Sequence, residues 1–131
     1  MTDFSITAIT ARLAVSDADR AIAFYARAFD AVEVSRFAYD GAIAHAELRI
    51  GDIVIDLKDA DEVDRSPDDL GGTPVIMSIA TTDVDALADR LSDAGATVLF
   101  PVSDSDYGLR DGRFRDPFGH HWHIHQPIDA E

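Results

Sequence analysis

The chain has no cysteine and only one lysine in 131 residues. Without thiols it can form no disulfide, thiolate metal centre or cysteine nucleophile, so any metal would need His, Asp or Glu as ligands. Basic residues are also scarce. Eleven Lys and Arg face 25 Asp and Glu, a net charge of -14. Such a surface repels a phosphate backbone and no basic stripe interrupts it, so nucleic acid is not an expected partner. It favours solubility and cationic ligands instead. No apolar run is long enough to span a bilayer, and no charged-then-apolar leader opens the chain. A soluble, cytoplasmic protein without a membrane partner is expected. Its 47% hydrophobic content is that of a globular chain, and its length suits one domain with one core.

The most informative stretch runs from Arg115 to His125. Asp116-Pro117-Phe118-Gly119 reads as a tight turn, with Pro117 presetting φ at its second position. The strand that follows alternates with a period of two. His121, His123 and His125 therefore share one face, and Trp122 and Ile124 share the other. One face packs on a core, with Trp122 beneath a helix, and the other meets something polar.

The chain reads as two similar halves. Alternation from Ile6 to Val15 predicts a strand, and Ser16 or Asp17 caps a helix to about Phe29 with Ala18, Ala21, Ile22, Tyr25, Ala28 and Phe29 as its stripe. Strands follow at Val32 to Ala38, Ala42 to Ile50 and Ile53 to Lys58, the last two joined by a Gly51-Asp52 hairpin turn. After an acidic connector without periodicity the order restarts. Val75 to Thr81 is a strand, Thr82 or Asp83 caps a helix to Ala94-Gly95, and strands span Ala96 to Val102, Gly112 to Arg115 and His121 to Gln126. The loop from Ser103 to Asp111, holding Tyr107, is placed to cover a site. Val15-Ser16-Asp17-Ala18-Asp19 matches Thr81-Thr82-Asp83-Val84-Asp85, which supports duplication. The expected fold is α+β: two tandem βαβββ modules, about 5–59 and 73–127 with a connector at 60–72, forming one domain.

Several segments, in this order, carry a resemblance. They include Leu13-Ala14-Val15-Ser16-Asp17, Ala21-Ile22-Ala23-Phe24-Tyr25, His45-Ala46-Glu47-Leu48, Leu70-Gly71-Gly72-Thr73-Pro74, Ala94-Gly95-Ala96 and Asp116-Pro117-Phe118-Gly119-His120. Through them the chain resembles the vicinal oxygen chelate superfamily, of glyoxalase and bleomycin-resistance type, and most nearly its PhnB-like branch. The resemblance implies sheets that curve around a cleft, often completed by a second chain, so a homodimer is expected. It also implies four metal positions, which fall here on Thr10, Asp56, Ile76 and His123. Ile76 cannot bind a metal, Thr10 is a poor ligand, and two ligands hold a divalent ion weakly. The glyoxalase I site is not preserved, and no cofactor is expected in it.

Another arrangement remains open. If the polar strand faces line the cleft that the resemblance implies, His45, Glu47, Asp56, His121, His123 and His125 point towards it, and His45, Glu47, Asp56, His121 and His123 are candidates for a divalent ion such as Zn, Mn, Ni or Fe. The plainer alternative is histidines bonded to carboxylates and solvent. Arg12, Arg49, Arg113 and Arg115 are suited to an anionic substrate but are expected to pair with carboxylates such as Glu47 or Asp116. Tyr107 and Phe37 are suited to stacking on a flat ligand or to ordinary packing. No Ser-His-Asp order appears along the chain. Two functions from different classes follow. One is a resistance-type protein that sequesters a small molecule in a cleft lined by Thr10, Arg12, His45, Glu47, Asp56, Ile76, Tyr107, His121, His123 and His125. The other is a lyase, isomerase or dioxygenase-like enzyme, metal-dependent or not, with Asp56 or His123 as catalytic base.

Overall fold

In a computed structural model, residues 3–128 are described. Among these residues eight strands and three helices follow one another: β1 Arg12–Val15, α1 Ala18–Phe29, β2 Val32–Tyr39, β3 Ala42–Ile50, β4 Ile53–Asp59, α2 Pro67–Leu70, β5 Ile76–Ala80, α3 Val84–Ala94, β6 Thr97–Asp104, β7 Leu109–Arg115 and β8 His121–Pro127. Two four-stranded sheets result, in the orders β1-β4-β3-β2 and β5-β8-β7-β6. In each, the first strand lies parallel to the last and the remaining pairs are antiparallel. This is the tandem βαβββ arrangement.

The duplication extends to single hydrogen bonds. Asp17 caps α1 and Asp83 caps α3, each accepting from the amide three residues on. The last strand of each module then reaches back to the start of its helix. Asp59 Oδ1 accepts from the Ala18 amide at 2.7 Å, and Gln126 Oε1 accepts from the Val84 amide at 2.5 Å. Each satisfies a helix-end donor that would otherwise lack a partner.

One face of each sheet is apolar and packs on a helix. Leu13, Val15, Ala46, Leu48, Ile55 and Leu57 of the first sheet are buried, as are Phe114, Trp122 and Ile124 of the second. Helix α1 joins the modules: Tyr25 and Phe29 meet Trp122 with ring centroids 5.6 and 4.8 Å apart, and α1 packs against α3. Trp122 thus lies beneath a helix, as its place on the strand predicts.

Three expectations need correction. The first strand begins at Arg12, not Ile6. Residues 3–11 carry the right alternation but form no strand, and of them Ala11 bonds to β4, its carbonyl accepting from the Asp56 amide at 2.9 Å. The connector contains the short helix α2, whose Ser66 hydroxyl accepts from the Asp69 amide ahead of Pro67, a favourable cap followed by a favourable first residue. The segment Ser103 to Asp111 is not a covering loop. Ser105 bonds Leu109 through both its amide and its hydroxyl, so β6 and β7 extend almost to the tip of a tight hairpin.

Candidate functional site

The Asp-Pro-Phe-Gly turn is an anchor. Asp116 is 2% exposed and accepts four hydrogen bonds: from the Tyr25 hydroxyl at 2.5 Å, from Trp122 Nε1 at 2.8 Å, and from the amides of Phe118 and His120 at 2.9 and 3.0 Å. Burial, reinforced by the Asp116 carboxylate, holds the Tyr25 phenol well above its ordinary pKa and keeps it a donor. Asp116 is therefore unavailable to the arginines expected to pair with it. Among the described residues Arg12, Arg49, Arg113 and Arg115 form no ion pair, and the chain's carboxylates engage Arg36, Lys58, Arg65, Arg90 and Arg110 instead. Four cations without a carboxylate partner among the described residues are notable in a chain of net charge -14.

The polar faces of the two sheets carry the candidate residues in two separate groups. On the first sheet, His45 Nε2 lies 3.4 Å from Asp56 Oδ2, and both Arg12 and Glu47 stand beside Asp56 in the ladder. On the second sheet, His123 Nε2 lies 2.8 Å from Asp111 Oδ2 and its Nδ1 lies 3.1 Å from Ser78 Oγ. His125 Nε2 reaches the same serine oxygen at 3.0 Å, and its ring stacks on His123 at 5.0 Å. Tyr107 donates its hydroxyl proton to Asp111, which holds that carboxyl below the ordinary value while His123 contributes in the same direction. Phe100, Pro101, Ser103, Tyr107, Arg113 and His123 line a hollow of about 270 Å³ beside this group.

Thr10 precedes β1 and is exposed, and Ile76, at the start of β5, is 43% exposed. Phe37 and Tyr107, offered as stacking walls, are 59% and 67% exposed. His121 lines a larger hollow of about 720 Å³ with Thr97, Arg115 and α2. Partial burial, then the charges of Arg113 and Arg115, push its pKa down and favour the neutral ring. Among the described residues no hydrogen bond or ion pair links the His45–Asp56 pair to the His123 group, and no three His, Asp or Glu side chains converge closely enough to hold a metal.

Sequence reasoning missed Ser78 and Asp111. Both carry a period-two signal, Ser78 alternating with the core-packed Met77 and Ile79, but they lie 45 and 12 residues from His123. Only the parallel β5–β8 and antiparallel β7–β8 pairings bring them to it.

The pair of βαβββ modules is a recurring architecture. The chain belongs to the Glyoxalase/Bleomycin resistance protein/Dioxygenase superfamily, whose family model matches residues 6–124. It is 44% identical over 127 residues to Rv0887c of Mycobacterium tuberculosis, spanning 92% of this chain and 75% of that protein. The same identity relates it to Mb0911c of Mycobacterium bovis, of which it spans 84%. Among solved structures it is similar to TioX from Micromonospora sp. ML1, with TM-score 0.71, 29% identity and coverage of 95% of this chain and 99% of that one. The fold is shared with the fosfomycin resistance protein FosX from Listeria monocytogenes, with TM-score 0.73, 18% identity and coverage of 95% and 96%. Members of the superfamily often hold a divalent metal. The four positions assigned by resemblance do not fit one within this chain, since Ile76 has no donor atom, Thr10 is a poor ligand, and Asp56 and His123 alone are too few.

Proposed function

We propose that the protein is a small-molecule-binding member of its superfamily, of the resistance-type, sequestering kind and of the PhnB-like branch, working in the cytoplasm. The observation that carries this reading is the polar face of the second sheet. There, half-buried His123 and Asp111 are held in fixed directions beside a hollow that also offers Phe100 and Arg113. Few placed polar groups against an aromatic wall suit recognition of a small organic ligand. Thermal unfolding with glutathione thioesters, basic glycopeptide antibiotics and divalent metals tests it. A ligand selective for the folded state stabilises by about 2.7 kcal/mol at a hundredfold excess over Kd. Unchanged midpoints throughout, with no saturable heat in calorimetry, would remove the reading.

The cleft is completed by a second copy. Phe4, Ile6 and Ile9 are 71%, 74% and 92% exposed along a segment that joins neither sheet, an apolar strip that a partner would cover. A second copy could also bring its His45, Glu47 and Asp56 opposite His121, His123 and His125. Light scattering is expected to give twice the chain mass; monomer mass at micromolar concentration would refute the dimer.

A second reading, an enzyme using Asp56 and His123, is favoured by one observation. His123 is oriented by a carboxylate on one nitrogen and a hydroxyl on the other.

A further inference from the structure

The hydrogen bonds around His123 run in one direction only. Ionised Asp111 can accept but not donate, so the bond at His123 Nε2 requires the proton on that nitrogen. In the neutral ring Nδ1 is then an acceptor, and the Ser78 hydroxyl must donate to it. With its only proton committed, Ser78 Oγ accepts from His125 Nε2–H. Tyr107 closes the chain by donating to the same Asp111 oxygen. A serine thus points its proton at an imidazole nitrogen that a carboxylate orients from behind. The nucleophile lies in hydrogen-bond reach of the base, and the base in reach of the orienting group, which is the arrangement that activates a hydroxyl.

Two further observations agree. Ser78 is exposed, so its oxygen is open to a ligand, whereas the flanking Met77 and Ile79 pack on the core and hold the strand in place. Arg113 stands directly across the ladder from His123, lies over the Phe100 ring at 5.7 Å and, among the described residues, has no carboxylate partner. It is a cation available to an oxygen that gains negative charge during reaction.

We propose that Ser78 is an acyl-accepting nucleophile, with His123 as its base and Asp111 as the positioning residue, acting on small carboxylic esters. This deepens the ligand-binding reading and rests on the same sheet face. Ser78 Oγ attacks the ester carbonyl, and its proton passes to His123 Nδ1. The carbon–alkoxide bond breaks, His123 returns that proton to the leaving alcohol, and Ser78 carries the acyl group. Water then attacks the acyl-serine with its proton taken by His123, the carboxylic acid departs, and the proton returns to Ser78. Arg113 faces the oxyanion in both halves of the reaction.

The full chain mixed with p-nitrophenyl acetate provides the test, with nitrophenol release followed in stopped flow and intact and peptide mass spectrometry after quenching. The wild type should show a burst of about one equivalent per chain with acetyl on Ser78. Ser78→Ala should lose both. His123→Gln and Asp111→Asn, which keep size and polarity, should slow acylation at least about a hundredfold while circular dichroism reports the native fold. His123→Ala serves as a second variant at the base. Absence of an acetyl group on Ser78, or equal labelling in the folded His123 variants, would overturn the proposal. Thermal-shift ligands that still bind in that case would leave the sequestering reading intact, and their absence alongside Ser78 acetylation would fail that reading alone.

Discussion

Asp116→Ala is expected to lower folding stability by about 3–5 kcal/mol, a large part of what a domain of this size possesses. The carboxylate is buried and takes four donors from three places: helix α1, strand β8 and the turn itself. Alanine would strand the Tyr25 hydroxyl, the Trp122 N–H and two backbone amides away from water. Each unsatisfied group costs roughly 1–3 kcal/mol, with less than full additivity because the site can relax. Asp116→Asn separates the contributions. Its remaining carbonyl can serve the two backbone amides, while its amide nitrogen would meet the Trp122 N–H donor to donor and the Tyr25 hydroxyl would have to turn and accept, so an intermediate loss is expected. Urea unfolding, with the slope compared across variants, measures both. An alanine variant within about 1 kcal/mol of wild type would show that the network does not hold the modules together.

Gly119→Ala should cost about 2–4 kcal/mol, from two sources that a control can separate. Gly119 has φ +91, where a side chain is strained, and an added Cβ would lie 2.8 Å from Pro67 Cβ and 3.0 Å from Asp68 Oδ1. The turn therefore approaches α2 more closely than a methyl group permits. Gly41 has φ +79 with nothing within 4 Å of an added Cβ. Gly41→Ala carries the conformational cost alone, roughly 1–2 kcal/mol. The difference between the two variants in denaturant unfolding reports the close approach. Equal losses for both glycines would mean that α2 simply moves aside.

Much of this was legible along the chain because it depends on near neighbours. The period-two alternation placing Trp122 inward and His123 outward, the Asp17 and Asp83 caps, the Gly51 turn and the repeated halves are local, and the structure contains them all. Even the turn at Asp116 was recognisable. Its role was not, because the side chain's partners, Tyr25 and Trp122, are 91 and 6 residues away.

By itself the amino-acid order determined the two βαβββ modules, the polar and apolar faces of β3, β4 and β8, the superfamily, and the lack of any thiol chemistry. Only the tertiary structure decided which polar residues meet. Strand pairing joins positions with no fixed separation along the chain, so Ser78, Asp111 and His123 became neighbours through the ladder of the second sheet, while His45 and Asp56 paired on the first. Side-chain periodicity sets the direction in which a residue points; the register of distant strands sets what it finds there.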